Sequence, residues 1–138
     1  MPEVAAFTLT AGTGTGRAMQ LGEPLSFWGG VDRHGDVIDV HHEAHGTSVT
    51  GRVMFMTSGR GSSSSAYLLG ELIRTGVAPA AIVLTEPDGI IAMGVLAAAE
   101  LYGRHMPFVT VTPDQLRLVP DGAMVSVEAT QDRATIRW

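Results

Sequence analysis

The chain of 138 residues carries nine basic and 14 acidic side chains, a net charge of -5, with 45% hydrophobic and 17% charged content. All nine cations are Arg and they are scattered, so the basic stripe that a nucleic-acid surface needs is missing. The absence of Cys excludes thiolate-held iron–sulfur clusters, thiolate zinc sites and disulfides from this chain, which is long enough to bury a core without them.

The start, Met1-Pro2-Glu3-Val4, lacks the basic residues and long apolar core of a signal peptide. The longest apolar tract, Gly89 to Leu101, is too short and too rich in Gly and Ala to span a bilayer. A soluble, cytoplasmic protein with no membrane contact is expected. Residues 1–138 read as one domain, with no linker and no internal repeat.

Val4 to Thr10 reads as a first strand. Ala11-Gly12-Thr13-Gly14-Thr15-Gly16 has the look of a nucleotide loop but lacks the third glycine of G-x-G-x-x-G at its offset and has no Lys-Ser/Thr, so a flexible turn is expected. Arg17–Leu21 and Pro24–Trp28 are expected as short strands, the second closed by Gly29-Gly30. Asp36-Val37-Ile38-Asp39-Val40 alternates as a half-buried strand should. The first sixty residues therefore suggest short strands and no helix, as in a small barrel or sandwich.

The pattern then changes. Arg52–Met56 is a strand-like run, and Ser65–Thr75 is a helix candidate stopped by Gly76, with Tyr67/Leu68, Leu72 and Ile73 near one face. Pro79–Leu84 is a buried strand, Ile90–Tyr102 a second helix stopped by Gly103, and Pro107–Val111 another buried strand. This β-α-β-α-β order predicts parallel pairing with right-handed crossovers. Asp121-Gly122 marks a turn between Leu116–Val119 and Met124–Glu128, and Ala134–Trp138 closes the chain. The expected fold class is α/β: a short-strand, barrel-like part plus a β-α-β-α-β part.

Three stretches are candidates for chemistry. His41-His42-Glu43-Ala44-His45 has two His at i, i+4, but it lies outside any helix pattern and falls one residue short of H-E-x-x-H; a polar surface loop is preferred to a metal site. Thr85-Glu86-Pro87-Asp88 follows a buried strand, where parallel units place ligand groups, yet Asp88 is also a natural helix cap, which is the preferred reading. The strongest candidate is Thr57-Ser58-Gly59-Arg60-Gly61-Ser62-Ser63-Ser64-Ser65. Strand, Gly/Ser loop and helix together aim backbone N–H groups, small hydroxyls and the positive end of a helix dipole at an anion. G-x-S-x-G is not spelled there and no His/Asp partner accompanies it. From the residues alone this is an anion site or a serine activated by Arg and backbone dipoles.

At this loop the chain resembles the small subunit of the aconitase X family. The resemblance rests on Arg60-Gly61-Ser62-Ser63, with Gly51-Arg52-Val53 before it and Tyr67-Leu68-Leu69 after it. It rests equally on Glu23-Pro24-Leu25-Ser26-Phe27-Trp28-Gly29-Gly30-Val31-Asp32 and on Gly76-Val77-Ala78-Pro79-Ala80-Ala81-Ile82-Val83. It runs from about Gly16 to Val111 and departs before the loop, where Met56-Thr57-Ser58 replaces an expected Leu-Pro. The resemblance implies a swivelling β/β/α domain like the mobile last domain of aconitase, closing over a large catalytic subunit that carries an iron or iron–sulfur centre. It implies dehydration of a small hydroxy acid: cis-3-hydroxy-L-proline to Δ1-pyrroline-2-carboxylate as the preferred reaction, mevalonate 5-phosphate as the alternative. Ser62 matches the serine assigned as proton acceptor. Arg60, Gly61, Ser63 and Ser64 are then expected to bind the substrate anion, with no metal or cofactor held by this chain. The competing readings are a non-catalytic anion-binding regulatory module and a purely structural assembly subunit.

Overall fold

The structure, a computed structural model, describes residues 2–138. Seven strands close into a barrel: β1 (Glu3–Thr10), β2 (Gly12–Gln20), β3 (Val53–Phe55), β4 (Ala81–Leu84), β5 (Phe108–Thr110), β6 (Met124–Ala129) and β7 (Ala134–Arg137), in the spatial order β1-β5-β4-β3-β2-β6-β7. Helix α1 (Ser64–Thr75) joins β3 to β4, α2 (Gly89–Tyr102) joins β4 to β5, and the single-turn α3 (Pro113–Leu116) follows β5. Strands β2, β3, β4 and β5 are parallel neighbours, while the remaining pairings are antiparallel. The expected β-α-β-α-β unit is present, and its strands are part of the barrel wall itself rather than a separate part of the molecule.

Two strands make the closure by changing partners halfway. Glu3–Ala6 of β1 pairs with β7, and Phe7–Thr10 pairs with β5 across a register shift between Thr8 and Thr10. Gly12–Arg17 of β2 pairs with β6, and Ala18–Gln20 pairs with β3. Strands that switch sheets this way turn the corners of closed sheets. The result places β1 and β7 side by side, fastened by Arg137 Nε to Glu3 at 2.9 Å and by the Trp138 amide to the Pro2 carbonyl at 3.1 Å.

The flexible turn expected at Ala11–Gly16 is instead the first half of β2. A side chain at Gly14 would collide with the Ala80 carbonyl oxygen, and one at Gly16 with the Gly51 carbonyl oxygen. The glycines are there because two other backbones cross within contact distance of the strand, not because the strand needs to bend.

The parallel strands are buried on both faces, as helix-covered parallel sheets must be. Val53 and Phe55, Ala81 and Val83, and Val109 point into the barrel, where they meet Val125, Val127 and Ile136. Met54, Met56, Ile82, Leu84 and Phe108 point outward, against Leu69, Leu72, Ile91 and Val95 of the helices. Each fully buried large side chain of this kind contributes about 2 kcal/mol by removal from water. The buried face of α1 is Ser65, Leu69, Leu72 and Ile73; Tyr67, expected to share it, is 69% exposed. Gly94 lets α1 and α2 pack closely, since a Cβ there would sit 2.6 Å from the Ala66 carbonyl oxygen. The C-terminal glycines stop both helices in the left-handed region, at φ 80° for Gly76 and 65° for Gly103. Among the described residues no helix is long and apolar enough to cross a membrane.

Residues 21–52 connect β2 to β3 over the helical side of the barrel. The strands expected at Pro24–Trp28 and Asp36–Val40 do not form; only the isolated bridges Val31–Val37 and Asp36–Ser48 appear. Alternation alone had no ladder partner to act on here, and Ile38 and Val40 of the supposed half-buried strand are 46% and 68% exposed. The connection is held by inserted side chains, Leu25, Phe27, Val31, Val37 and Val49, and by local hydrogen bonds. Before the turn at Asp121-Gly122, the stretch that includes Leu116–Val119, expected as a strand, forms the end of α3 and a turn, with Thr112 and Gln115 making a capping box around Pro113.

Two predictions follow from these contacts. Gly14→Ala drives a methyl into the Ala80 backbone and should cost about 3 kcal/mol, read as a lower urea midpoint at unchanged m; an unchanged midpoint contradicts the close approach. Asp32 Oδ1 accepts from the His34 and Asp36 amides at 2.9 and 3.0 Å. Burial pushes its pKa up, but the Asp36 and His34 amides and the nearby His34 and Arg33 charges outweigh this and hold it below the ordinary 3.8. Its stabilisation is therefore present above the unfolded-state pKa and lost as pH falls through the lower folded value. Acid titration of wild type against Asp32→Asn should show their stability difference shrinking below about pH 4. A pH-independent difference would contradict this.

Candidate active site

The C-terminal ends of β3, β4 and β5 gather three segments: the strap Pro24–Trp28, the loop Thr57–Ser63 and the turn Thr85–Asp88. Ladder contacts continue past the strands to hold them. The Met56 amide donates to the Val83 carbonyl at 3.1 Å, and the Thr57 carbonyl accepts from both the amide and the hydroxyl of Thr85, at 3.0 and 2.7 Å. The loop thus starts from a fixed point and returns directly into α1.

Ser62, Ser63 and Gly61 are exposed, Ser64 is intermediate and Ser65 is buried. Ser62 Oγ accepts from the Ser64 amide at 3.2 Å, whereas Ser63, at the N-cap position, makes no side-chain cap. One amide of the first turn of α1 therefore already points at the Ser62 oxygen, which favours negative charge there. The amides of Gly61, Ser62 and Ser63 have no acceptor among the described residues. Gly61 takes φ +105°, a value that side-chain-bearing residues avoid, and it is itself exposed. Arg60 is exposed, and its guanidinium reaches the Pro24 carbonyl at 3.5 Å. The loop thus brings Gly61, Ser62, Ser63 and Ser64 together at the mouth of the helix, with Arg60 on its rim toward the strap.

Of the other candidates, Asp88 caps α2: its Oδ1 accepts from the Ile90 and Ile91 amides, both at 2.9 Å. Its second oxygen lies against Gly59, so the cap also lines the serine loop, a contact that no local pattern announces. Among the histidines, His41 and His45 are exposed as a polar loop requires, but His42 is 4% exposed. Its Nδ1 accepts from the Ala44 amide at 3.0 Å, which leaves Nε2 to donate to the Glu23 carbonyl at 3.2 Å. This is a structural histidine that anchors the start of the strap. Among the described residues no group of three or more His, Asp or Glu could hold a metal ion, and the chain has no Cys. The donor set does not fit an iron or iron–sulfur centre.

The residues missed by local reading are Ser26, Trp28 and Ser65. Ser65 Oγ accepts from the Trp28 amide at 3.1 Å, and Ser26 Oγ donates to the Trp28 carbonyl at 2.8 Å. The Glu23–Asp32 motif is the only signal that links this strap to the serine loop in advance.

Comparison with known proteins bears on the family and the fold. A family model described as the aconitase X swivel domain matches residues 3–137. The chain is 48% identical over 101 residues to the cis-3-hydroxy-L-proline dehydratase of Pseudomonas aeruginosa, covering 72% of this chain and 17% of that protein. It is 36% identical over 138 residues to the phosphomevalonate dehydratase small subunit of Methanothermobacter thermautotrophicus, covering 99% of both. The crystal structure of Thermococcus kodakaraensis aconitase X in its holo form superposes with a TM-score of 0.84 at 27% identity, over 100% of both chains. With the closed barrel, the parallel strand ends and the serine loop in place, the chain belongs to the aconitase X swivel-domain family.

Proposed function

We propose that this chain is the swivelling small subunit of an aconitase X-type hydro-lyase and that Ser62 is its proton acceptor. The observation that carries this reading is an exposed Ser62 hydroxyl whose oxygen already takes a helix amide, in a site with no metal-binding group among the described residues. On this reading the chain supplies one half of an active site and the large subunit the other. A serine in open water is a poor base, because its alkoxide is unstable there. Closing the site against a large subunit excludes water, and the helix terminus and Arg60 then stabilise the oxyanion far better. An iron or iron–sulfur centre on that large subunit would supply the Lewis acid for the departing hydroxyl.

Within the closed site, Ser62 Oγ, once deprotonated, takes the proton from the carbon next to the substrate carboxylate. The hydroxyl on the neighbouring carbon leaves as water by taking up one proton, the one Ser62 has just accepted, so that the alkoxide is restored and the net loss from the substrate is one water. For cis-3-hydroxy-L-proline the resulting enamine tautomerises to Δ1-pyrroline-2-carboxylate. The free amides of Gly61, Ser62 and Ser63 and the Arg60 fork bind the carboxylate, with the Ser63 and Ser64 hydroxyls beside them. Swivelling opens the site to release product.

Hydroxyproline is the preferred substrate because the site offers one cation. Arg52 donates to the Arg17 and Ala18 carbonyls at 3.3 and 3.2 Å, and Arg17 to the Gly122 carbonyl at 3.2 Å, all at the opposite end of the parallel strands. Of Arg17, Arg52 and Arg60, Arg60 alone stands at the loop among the described residues, which suits a single carboxylate better than a carboxylate plus a phosphate. Mevalonate 5-phosphate remains the second reading on one observation: the archaeal small subunit matches this chain end to end.

The test is reconstitution with the large subunit from the same source and assay against both compounds. The chain alone should be inactive. In the complex, Ser62→Ala should lower kcat by about 10³-fold or more with KM little changed. Near-wild-type turnover in that variant would remove Ser62 from the proton-transfer role. Turnover of neither compound would overturn the substrate reading.

A further inference from the structure

We propose that Ser65 is the positioning residue of the site: its buried hydroxyl locks the strap onto the serine loop and sets where Ser62 stands. The inference rests on the reading of Ser62 as the base. Four consecutive serines look equivalent in the chain, but they separate sharply in space. Ser65 is 3% exposed, one turn below the exposed Ser62 and on the face of α1 that carries Leu69, Leu72 and Ile73.

The lock is a two-sided grip on one residue. Ser65 Oγ takes the Trp28 amide at 3.1 Å, and Ser26 Oγ holds the Trp28 carbonyl at 2.8 Å. Gly61 packs against both hydroxyls on its Cβ side. A Cβ at Gly61 would run into Ser26 Oγ and lie 3.3 Å from Ser65 Oγ. The two hydroxyls therefore close the side of Gly61 on which a Cβ would stand, and Ser62 is the next residue along. The strap itself cannot drift, because Leu25 and Phe27 are 1% exposed in the outer core and the Leu25 amide rests on Met56 Sδ at 3.5 Å. Trp28, by contrast, is 53% exposed, so the grip fixes its backbone while leaving the indole at the rim of the site.

A buried, hydrogen-bonded hydroxyl in the first turn of a helix is often only a packing detail. Here it connects the two motifs that are far apart in the chain and both border Ser62. A proton acceptor must stand within a fraction of an ångström of its productive position, and a misplacement of about 1 Å costs on the order of 100-fold in rate. Removing the Ser65 hydroxyl releases Trp28, widens the space around Gly61 and lets Ser62 sample other positions. The effect should fall on kcat, because the carboxylate-binding amides remain on the loop.

The experiment uses the reconstituted complex with Ser65→Ala, and with Ser26→Ala as a second route to the same lock should the first variant fail to fold. Both should lower kcat by about 10- to 100-fold with KM within about threefold of wild type. Amide exchange at Trp28 and at Ser64, whose amides are the hydrogen-bonded ones, should rise about fivefold, as for one lost hydrogen bond, while the later turns of α1 stay protected. Wild-type kcat for both variants in a complex that Ser62→Ala inactivates would overturn the positioning role. Unchanged exchange at the loop would overturn the lock itself. If Ser62→Ala retains turnover, the assignment of the base has failed instead, and the exchange measurement still decides whether Ser65 holds the loop.

Discussion

The two-faced burial of β3, β4 and β5 governs the rest of the molecule. Alternate side chains fill the barrel and the layer beneath the helices, so neither face tolerates a one-residue slip of any of these strands. Their carboxyl ends are consequently held at one level. The loop from Met56, the turn at Thr85 and the start of α1 and α2 all emerge from that level, and the amide of Ser64 meets Ser62 Oγ at the first turn of α1. A serine loop on a looser base would have the same residues without the same aim.

The close approaches around β2 serve the same purpose from the other end. Gly14 and Gly16 let the strand cross the backbones at Ala80 and Gly51, where the connections enter β4 and β3. Both ends of the parallel unit are therefore pinned by backbone rather than by long side chains. Exposed ion pairs such as Arg74 with Glu71 or Arg117 with Asp114 add little by comparison, because water screens them and their side chains lose freedom in pairing.

The helices, their glycine stops and the β-α-β-α-β order were legible because each depends on neighbours within a few residues. Gly76 and Gly103 end helices by local geometry, and Asp88 caps α2 by local geometry as well. The serine loop was visible for the same reason. What local reading missed depends on partners far along the chain. The glycines of β2 look like a turn until Ala80 and Gly51 are beside them. Asp36–Val40 alternates but has no ladder to join. His42 belongs to a polar run, yet Glu23 and Ala44 draw it inside. Within the serine run, only the distant Trp28 distinguishes Ser65 from its neighbours. The aconitase X resemblance supplied the connection between strap and loop that composition and spacing did not contain.

The pairing of the first strand with the last has a mechanical consequence. Glu3–Ala6 and Ala134–Arg137 lie in one ladder, so any covalent attachment to either side leaves the barrel from the same edge. A body tethered at one edge, with its working loop on the ends of interior strands, turns about that edge as a door turns about a hinge post. On the proposed swivelling, the serine loop, fastened to the ends of the parallel strands, would travel with the barrel as one face.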